Sequence, residues 1–225
     1  MNSQVRQTFA PLQYEAAPLR NKIVDSLRRA IEAGLLEPGT RLVEKDLCQQ
    51  LNVSRTSLRE ALRQLQAEGL LANVRNRGLA VVVISRADAE NIYRIRRVLE
   101  ALVVEQFVEN ASDGEVAELR KNSELVKAAY RSGDAQRIMI AKRDFYDRIC
   151  AGARNMIAFN LLNKLTLLTS SLRRRSLVRP ERQSQSIGEL DTLVRAITER
   201  DKHAARAAAE QHVANAAQSA FSASA

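Results

Sequence analysis

The sequence predicts a mostly α-helical protein in two parts: a small N-terminal unit of three helices and a hairpin, then an all-α bundle of about six helices. Three observations predict it. Of 225 residues, 45% are apolar and 27% charged, which is the balance of a folded domain rather than of a disordered chain. Only 4% are aromatic and none is Trp, and 8 Gly with 4 Pro are too few for the closely spaced turns of a sandwich or barrel. Apolar residues recur three and four positions apart along most of the chain, interrupted once by a short β-branched stretch.

Residues 1–14 read as a loose arm. From Pro18, the four-residue spacing of Ile23, Leu27 and Ile31 predicts a first helix, stopped by Gly34 and the turn Glu37-Pro38-Gly39. A short second helix spans Glu44 to Leu51. Ser54 is placed to cap a third helix running to Gly69, with Leu58, Ala61, Leu62 and Leu65 on one face. From Leu71 to Ile84, β-branched and aliphatic residues flank Asn76-Arg77-Gly78, a two-stranded hairpin whose Gly supplies the positive φ of the turn. Three helices and a hairpin in this order make a winged helix-turn-helix, residues 15–84. A polar joint at 85–88 leads to the second region, 89–222, with breaks at 110–114, 132–134, 152–155, 179–180 and 200–201. Asp113, Asp134 and Asp201 stand where helix caps are wanted. The last helix, Ala204 to Ala220, is so rich in Ala that its neighbours can approach closely. About 135 residues suffice for a core and a small cavity.

The formal charge of +9 favours an anionic partner, and nucleic acid is the commonest one for a basic protein. The charge is denser in the first 86 residues, which hold a net +5. The N-terminus lacks the apolar core of a signal peptide, and no apolar run approaches the roughly 20 residues of a membrane helix, so the expected location is cytoplasmic. Cys48 and Cys150 lie far apart without a CxxC, and read as two buried thiols. No Ser-His-Asp or Cys-His arrangement, paired catalytic carboxylates or glycine phosphate loop occurs in the helical half, which argues against an enzyme.

The third helix carries the strongest chemical signal. Arg55, Arg59 and Arg63 recur every fourth residue opposite the leucine stripe, and Thr56 and Ser57 sit in the first turn, where a recognition helix reaches base edges. Arg can bond bidentately to guanine, and small hydroxyl residues let the helix N-terminus approach a phosphate. Arg75 and Arg77 at the hairpin tip are placed to touch backbone or minor groove.

The run GLLEPGTRLVEKDLCQQLNVSRTSLREALRQLQAEGLLANVRNRGLAVV resembles the DNA-binding domain of the GntR family. Residues 88 to about 220 resemble the helical effector domain (FCD type) of its FadR branch, through IYRIRRVLEALVVE, DFYDRICAGARNM, GELDTLVRAITERD and AARAAAEQHV. The resemblance implies DNA contacts at Lys45, Arg55, Thr56, Ser57, Arg59, Arg77 and Gly78. It implies a homodimeric transcription factor on double-stranded operator DNA, usually a repressor, released by a small carboxylate metabolite. A two-fold dimer with one recognition helix per chain should bind a palindrome.

One departure from the family matters. Many members of the branch bind a divalent metal through an Asp and three His, and the corresponding positions here hold Lys142, Tyr146, Leu190 and His212. The chain has two histidines, His203 and His212, nine residues apart on one helix; nine steps of about 100° point them to opposite sides. No metal and no cofactor is therefore expected. Lys142 puts an ammonium where the Asp stands, Tyr146 adds a hydroxyl one turn on, and Arg96 shares a helix face with Ile92, Leu99 and Val103. A buried guanidinium needs an anion, so the expected effector contacts are Arg96, Lys142, Tyr146 and His212. The alternative is that Lys142 reaches water, Tyr146 is core, Arg96 pairs with an internal Glu, and the bundle only dimerises. Arg173-Arg174-Arg175 cannot share one helix face and read as a solvated run.

Overall fold

The computed structural model describes residues 17–75 and 78–222, so the expected N-terminal arm and the hairpin-tip Arg77 lie outside the described residues. The first unit is α1 (Ala17–Ala33), α2 (Glu44–Leu51), α3 (Arg55–Ala67), β1 (Leu71–Val74) and β2 (Gly78–Val81). Ile23, Val24, Leu27 and Ile31 of α1 are buried together with Leu58, Ala61, Leu62 and Leu65 of α3, joined by Leu47, Leu71 and Val81. Each of the Leu, Ile and Val side chains contributes roughly 1.5–3 kcal/mol by leaving water. The turn between α2 and α3 is set by two residues. Asn52 ends α2 in the left-handed region (φ 50°), which Asn tolerates better than most, and Ser54 Oγ accepts the backbone N–H of Ser57 at 3.1 Å. The strands pair antiparallel with Leu71 opposite Val81, and Arg41 bridges to Ala80 on the outer edge of β2.

The second unit comprises α4 (Arg86–Asn110), α5 (Asp113–Ser132), α6 (Ala135–Gly152), α7 (Met156–Leu168), α8 (Ser170–Leu177), α9 (Pro180–Thr198) and α10 (Lys202–Phe221). The expected polar joint is the start of α4, with Ser85 as its cap, its hydroxyl accepting the Asp88 N–H at 3.1 Å. Among the described residues this unit has seven helices where about six were expected, because Thr169 divides α7 from α8. Its hydroxyl bonds back to the Leu165 carbonyl at 3.0 Å, a device that leaves no Gly or Pro in the sequence to mark it. α10 packs on α4 and α9, and α5 packs on α6 and α9. The core gathers Val104 and Phe107 of α4, Leu119 and Val126 of α5, Ile138 and Phe145 of α6, Leu193 and Ile197 of α9, and Ala205 and Ala209 of α10. Gly152 is required by this packing, since a Cβ there would stand 2.4 Å from the Phe107 ring.

The two units meet where α1 touches α7 and α8. Leu167 of α7 is buried in the core of the first unit, Arg174 of α8 donates to Glu37 at 3.0 Å, and Arg143 of α6 pairs with Glu32 of α1.

Candidate nucleic-acid interface and buried cationic cavity

Lys45 in the first turn of α2, Arg55, Thr56 and Arg59 on α3, and Gly78 at the start of β2 are exposed, and Ser57 is half-buried. The leucine face of α3 is spent on the core, so the arginine face is the one left to meet a partner. Ser57 lies against Ser54, their hydroxyls 3.0 Å apart, which engages it in the cap. Arg59 Nε donates to Glu44 Oε2 at 2.8 Å and thereby links α3 to α2. Arg59 is exposed and Glu44 half-buried, so the pair is weak in water and can be exchanged for a phosphate or base edge at small cost. Gly78 has φ 76°, which lets the hairpin turn tightly at its tip.

Inside the bundle the charged groups are arranged differently. Arg96 gives two hydrogen bonds to Glu100 Oε1, at 3.0 and 2.8 Å, and both residues are buried. Arg182 of α9 grips Glu189 with a fork of 2.8 and 2.9 Å. Glu189 also accepts from Asn215 at 2.6 Å and from His212 Nδ1. The other face of that imidazole, Nε2, lies 2.8 Å from Lys142 Nζ. With Nδ1–H donated to Glu189, Nε2 is an acceptor and Lys142 the donor. Two carboxylates thus neutralise two guanidinium groups, while Lys142 has only a neutral ring as partner. Arg173 of α8 lines the same space and forms no salt bridge among the described residues. The result is a surplus of positive charge at the cavity, carried by two half-buried side chains.

The acidities follow from this surplus. Burial, with Arg173 and Arg182 behind it, pushes the Lys142 ammonium well below its usual range. Burial and then Arg96 lower Arg173. Burial and Lys142 push His212 down to about 4, against the pull of Glu189. Burial works against the Glu189 carboxylate, yet the bonds from His212 and Arg182 hold it at about 2. Burial and the Glu100 carboxylate raise the Tyr146 hydroxyl well above its ordinary value, so it stays a donor.

Lys142, Tyr146, Leu190 and His212 line one small void of about 10 Å³. The four positions that the resemblance sets against metal ligands therefore lie together. Their chemistry does not suit a divalent ion, because an ammonium and an aliphatic side chain stand in two places and His212 Nε2 is already occupied by Lys142. No cluster of three or more His, Cys, Asp or Glu able to hold a metal occurs among the described residues. His203 is exposed and His212 buried, on opposite sides of α10. Next to this void is a second one of about 40 Å³, bordered by Arg96, Glu100, Lys142, Tyr146 and Arg173. Arg96 Nη1 and Glu100 Oε2, both buried, have no hydrogen-bond partner.

The arginine triplet corrects the sequence reading. Only Arg175 is exposed; Arg174 joins the two units through Glu37, and Arg173 reaches the cavity. Nothing in three identical residues marks which one points inward. Arg182 and Glu189, by contrast, stand seven apart on one face of α9 with the buried Ser186 between them, a spacing that could have singled them out.

A winged helix-turn-helix with a basic recognition helix, joined to an all-α second domain, defines a class of DNA-binding transcriptional regulators. Residues 19–81 match the family model described as bacterial regulatory proteins, gntR family, and residues 91–215 match the FCD domain. The chain belongs to the GntR family, in its FCD-containing branch, and is a DNA-binding transcriptional regulator rather than an enzyme. It is 29% identical over 197 residues to the HTH-type regulator YdhC of Bacillus subtilis (strain 168), spanning 87% of this chain and 86% of that one. It is 30% identical over 128 residues to the gluconate operon transcriptional repressor of the same strain, spanning 57% of this chain and 52% of that one. The structure of Escherichia coli McbR/YncC shares the fold with a TM-score of 0.84 at 24% identity, over 92% of this chain and 99% of that one. No helix among the described residues is long and apolar enough to cross a membrane.

Proposed function

We propose that this regulator is a homodimeric repressor that binds a palindromic operator and is released when a small organic acid binds inside its helical domain. Residues 15–84 serve as the DNA-binding domain and 89–222 as the effector and dimerisation domain, with 85–88 forming the cap and first turn of the helix that leads from one to the other, and Lys45, Arg55, Thr56, Ser57, Arg59, Arg77 and Gly78 meeting DNA. A relative named as a repressor supports the sign of regulation. Exposed apolar residues support the dimer: Ile95 and Val98 on α4, and Met156, Ile157 and Leu161 on the adjoining α7. The observation that carries the effector is that Lys142 and Arg173, both half-buried at the cavity, have no carboxylate partner among the described residues, which an entering carboxylate would supply. Arg96 Nη1 is available as a further donor, the Tyr146 hydroxyl borders the same cavity, and His212 keeps Lys142 in position.

The size of the voids favours the second reading, a bundle that only dimerises, because about 40 Å³ holds a water and not a metabolite. Binding an acid therefore requires α6, α7 and α8 to move apart. Thermal melting of the wild type, Lys142→Met and Arg173→Met in a panel of small organic acids separates the two readings. An acid that binds the native state raises the melting temperature of the wild type and much less that of either variant. A charge-assisted bond is worth about 1.5–3 kcal/mol, so Lys142→Met weakens acid-induced release by roughly tenfold or more. Its operator affinity without acid stays near that of the wild type, since the DNA surface lies in the other domain. A wild type protected by none of the acids leaves dimerisation as the bundle's role.

A further inference from the structure

We propose that the junction between the two domains holds a second anion subsite, now filled by the protein's own Glu32, and that an effector with two carboxylates enters there by displacing it. The inference rests on the acid-effector reading and adds to it the ligand's class and the route by which binding reaches the DNA-binding domain.

Glu32 belongs to α1, yet its side chain reaches out of its own unit and pairs with Arg143 of α6. The residue is 9% exposed and borders the 40 Å³ cavity together with Lys142 and Arg173. Among the described residues it is the one contribution of the DNA-binding domain to that lining, and it is a carboxylate. Outside it, between the domains, lies a much larger cleft of about 470 Å³. Arg143, Asp147, Phe159, Asn163 and Thr166 border both spaces, so the cleft is the vestibule of the cavity. The Glu32–Arg143 pair stands at the boundary.

Charge sets the class of ligand. Around the inner cavity the helical domain contributes Arg96, Lys142, Arg143 and Arg173 against Glu100 and Asp147. Glu100 is committed to Arg96, and Asp147 is a half-buried acid whose affinity for its proton is raised by burial. Withdrawing Glu32 therefore leaves a net surplus of two positive charges. One carboxylate would satisfy Lys142 and Arg173, and a second would take Arg143 from Glu32. A monocarboxylate has no group to offer Arg143 and leaves the pair intact.

Displacement has a mechanical consequence because the Glu32–Arg143 pair is itself one of the ties between the domains. Arg174–Glu37, Leu167 in the core of the first unit and Glu32–Arg143 join α1 and its following turn to α6, α7 and α8. α7 both walls the cavity, through Phe159, Leu162 and Thr166, and plugs the DNA-binding domain with Leu167. Opening the cavity therefore loosens α1 twice, by moving α7 and by freeing Glu32.

The test is calorimetric titration of the full-length protein and its Glu32→Gln, Arg143→Met and Lys142→Met variants with succinate, glutarate and butyrate at matched ionic strength. Hydrogen exchange of residues 17–33 is followed in parallel. Expected is a gain of about tenfold or more in dicarboxylate affinity for Glu32→Gln, a comparable loss for Arg143→Met, and no change in butyrate affinity for either. Succinate or glutarate should speed exchange in α1 of the wild type and not in Glu32→Gln, whose α1 is already untied. Dicarboxylate affinity that depends on Lys142 but is the same in wild type and Glu32→Gln overturns the junction subsite and leaves the acid site standing. A gain in Glu32→Gln that Lys142→Met does not diminish supports the subsite and removes the deeper acid site. Equal gains for butyrate, or no binding of any acid to wild type or Glu32→Gln, overturn the proposal.

Discussion

Arg55 and Arg59 show how little a helix face says until its back is accounted for. Leu58, Ala61, Leu62 and Leu65 are buried, which leaves the arginine row of α3 as the only side able to enter a groove. Arg55→Ala and Arg59→Ala should each cost about 1–3 kcal/mol of operator affinity if the side chain meets a base; footprinting that finds both unchanged would remove α3 from the groove. His212 gives a prediction of a different kind. Its folded pKa of about 4 lies below the ordinary 6.5, so between those values the unfolded chain binds more protons than the native one. Stability is then fully present above about pH 6.5 and is lost as the pH falls toward 4, by at most about 1.4 kcal/mol per pH unit for one proton. Lys142, lowered in the same sense, extends the rise of stability with pH into the alkaline range. Melting followed from pH 7 to 4.5 should fall for the wild type and fall less for His212→Gln; parallel curves would mean that the imidazole is charged in the fold.

Helices in this protein are cut to length by caps and by the room their neighbours leave. Ser54, Ser85, Ser112, Asp134, Asn155 and Asp201 each accept a backbone N–H at a helix start. α6 ends where Gly152 allows the Phe107 ring of α4 to lie against its backbone. Gly152→Ala should therefore destabilise the bundle by roughly 1–3 kcal/mol through overpacking, measured by urea unfolding, although Ala is the better helix former. The outer face of α7 makes the opposite statement. Ile157 is 78% exposed and follows Met156 at 59%, an arrangement that solvent does not explain and a second copy would. Ile157→Lys combined with Val98→Asp should yield folded monomers by light scattering, and a dimer that survives both changes would place its interface elsewhere.

The molecule as a whole couples a basic DNA-binding unit to a bundle through a handful of contacts, so movement in one can be felt in the other without any long pathway. Inside the bundle, Lys142 Nζ lies against His212 Nε2, the ring nitrogen that a metal would need. EDTA should accordingly leave the melting temperature and the response to acids unchanged. About one zinc or nickel per chain by elemental analysis, lost together with stability, would mean that His212 has other partners than Lys142.

Much of the architecture was legible beforehand because it is written locally. Ser54, Asn52, Gly78 and the leucine spacing of α3 dictate their own turns and faces, and the run around them is distinctive enough to show a family resemblance. Legibility ended where position depends on distant residues. Arg173 and Arg175 are chemically identical and two apart, yet one is drawn into a cavity by the packing of α8 on α6 while the other stays in water. Arg96 could be placed on an inward face, but that Glu100 four residues on would take its charge follows only when both are buried together. The same holds for Glu32, an ordinary acid near the end of an amphipathic helix until folding sets Arg143, 111 positions away, against it. Periodicity and caps act over a few residues and can be read from order alone; the partner of a buried charge is chosen by three-dimensional proximity in a medium that cannot screen it, and order alone does not contain that.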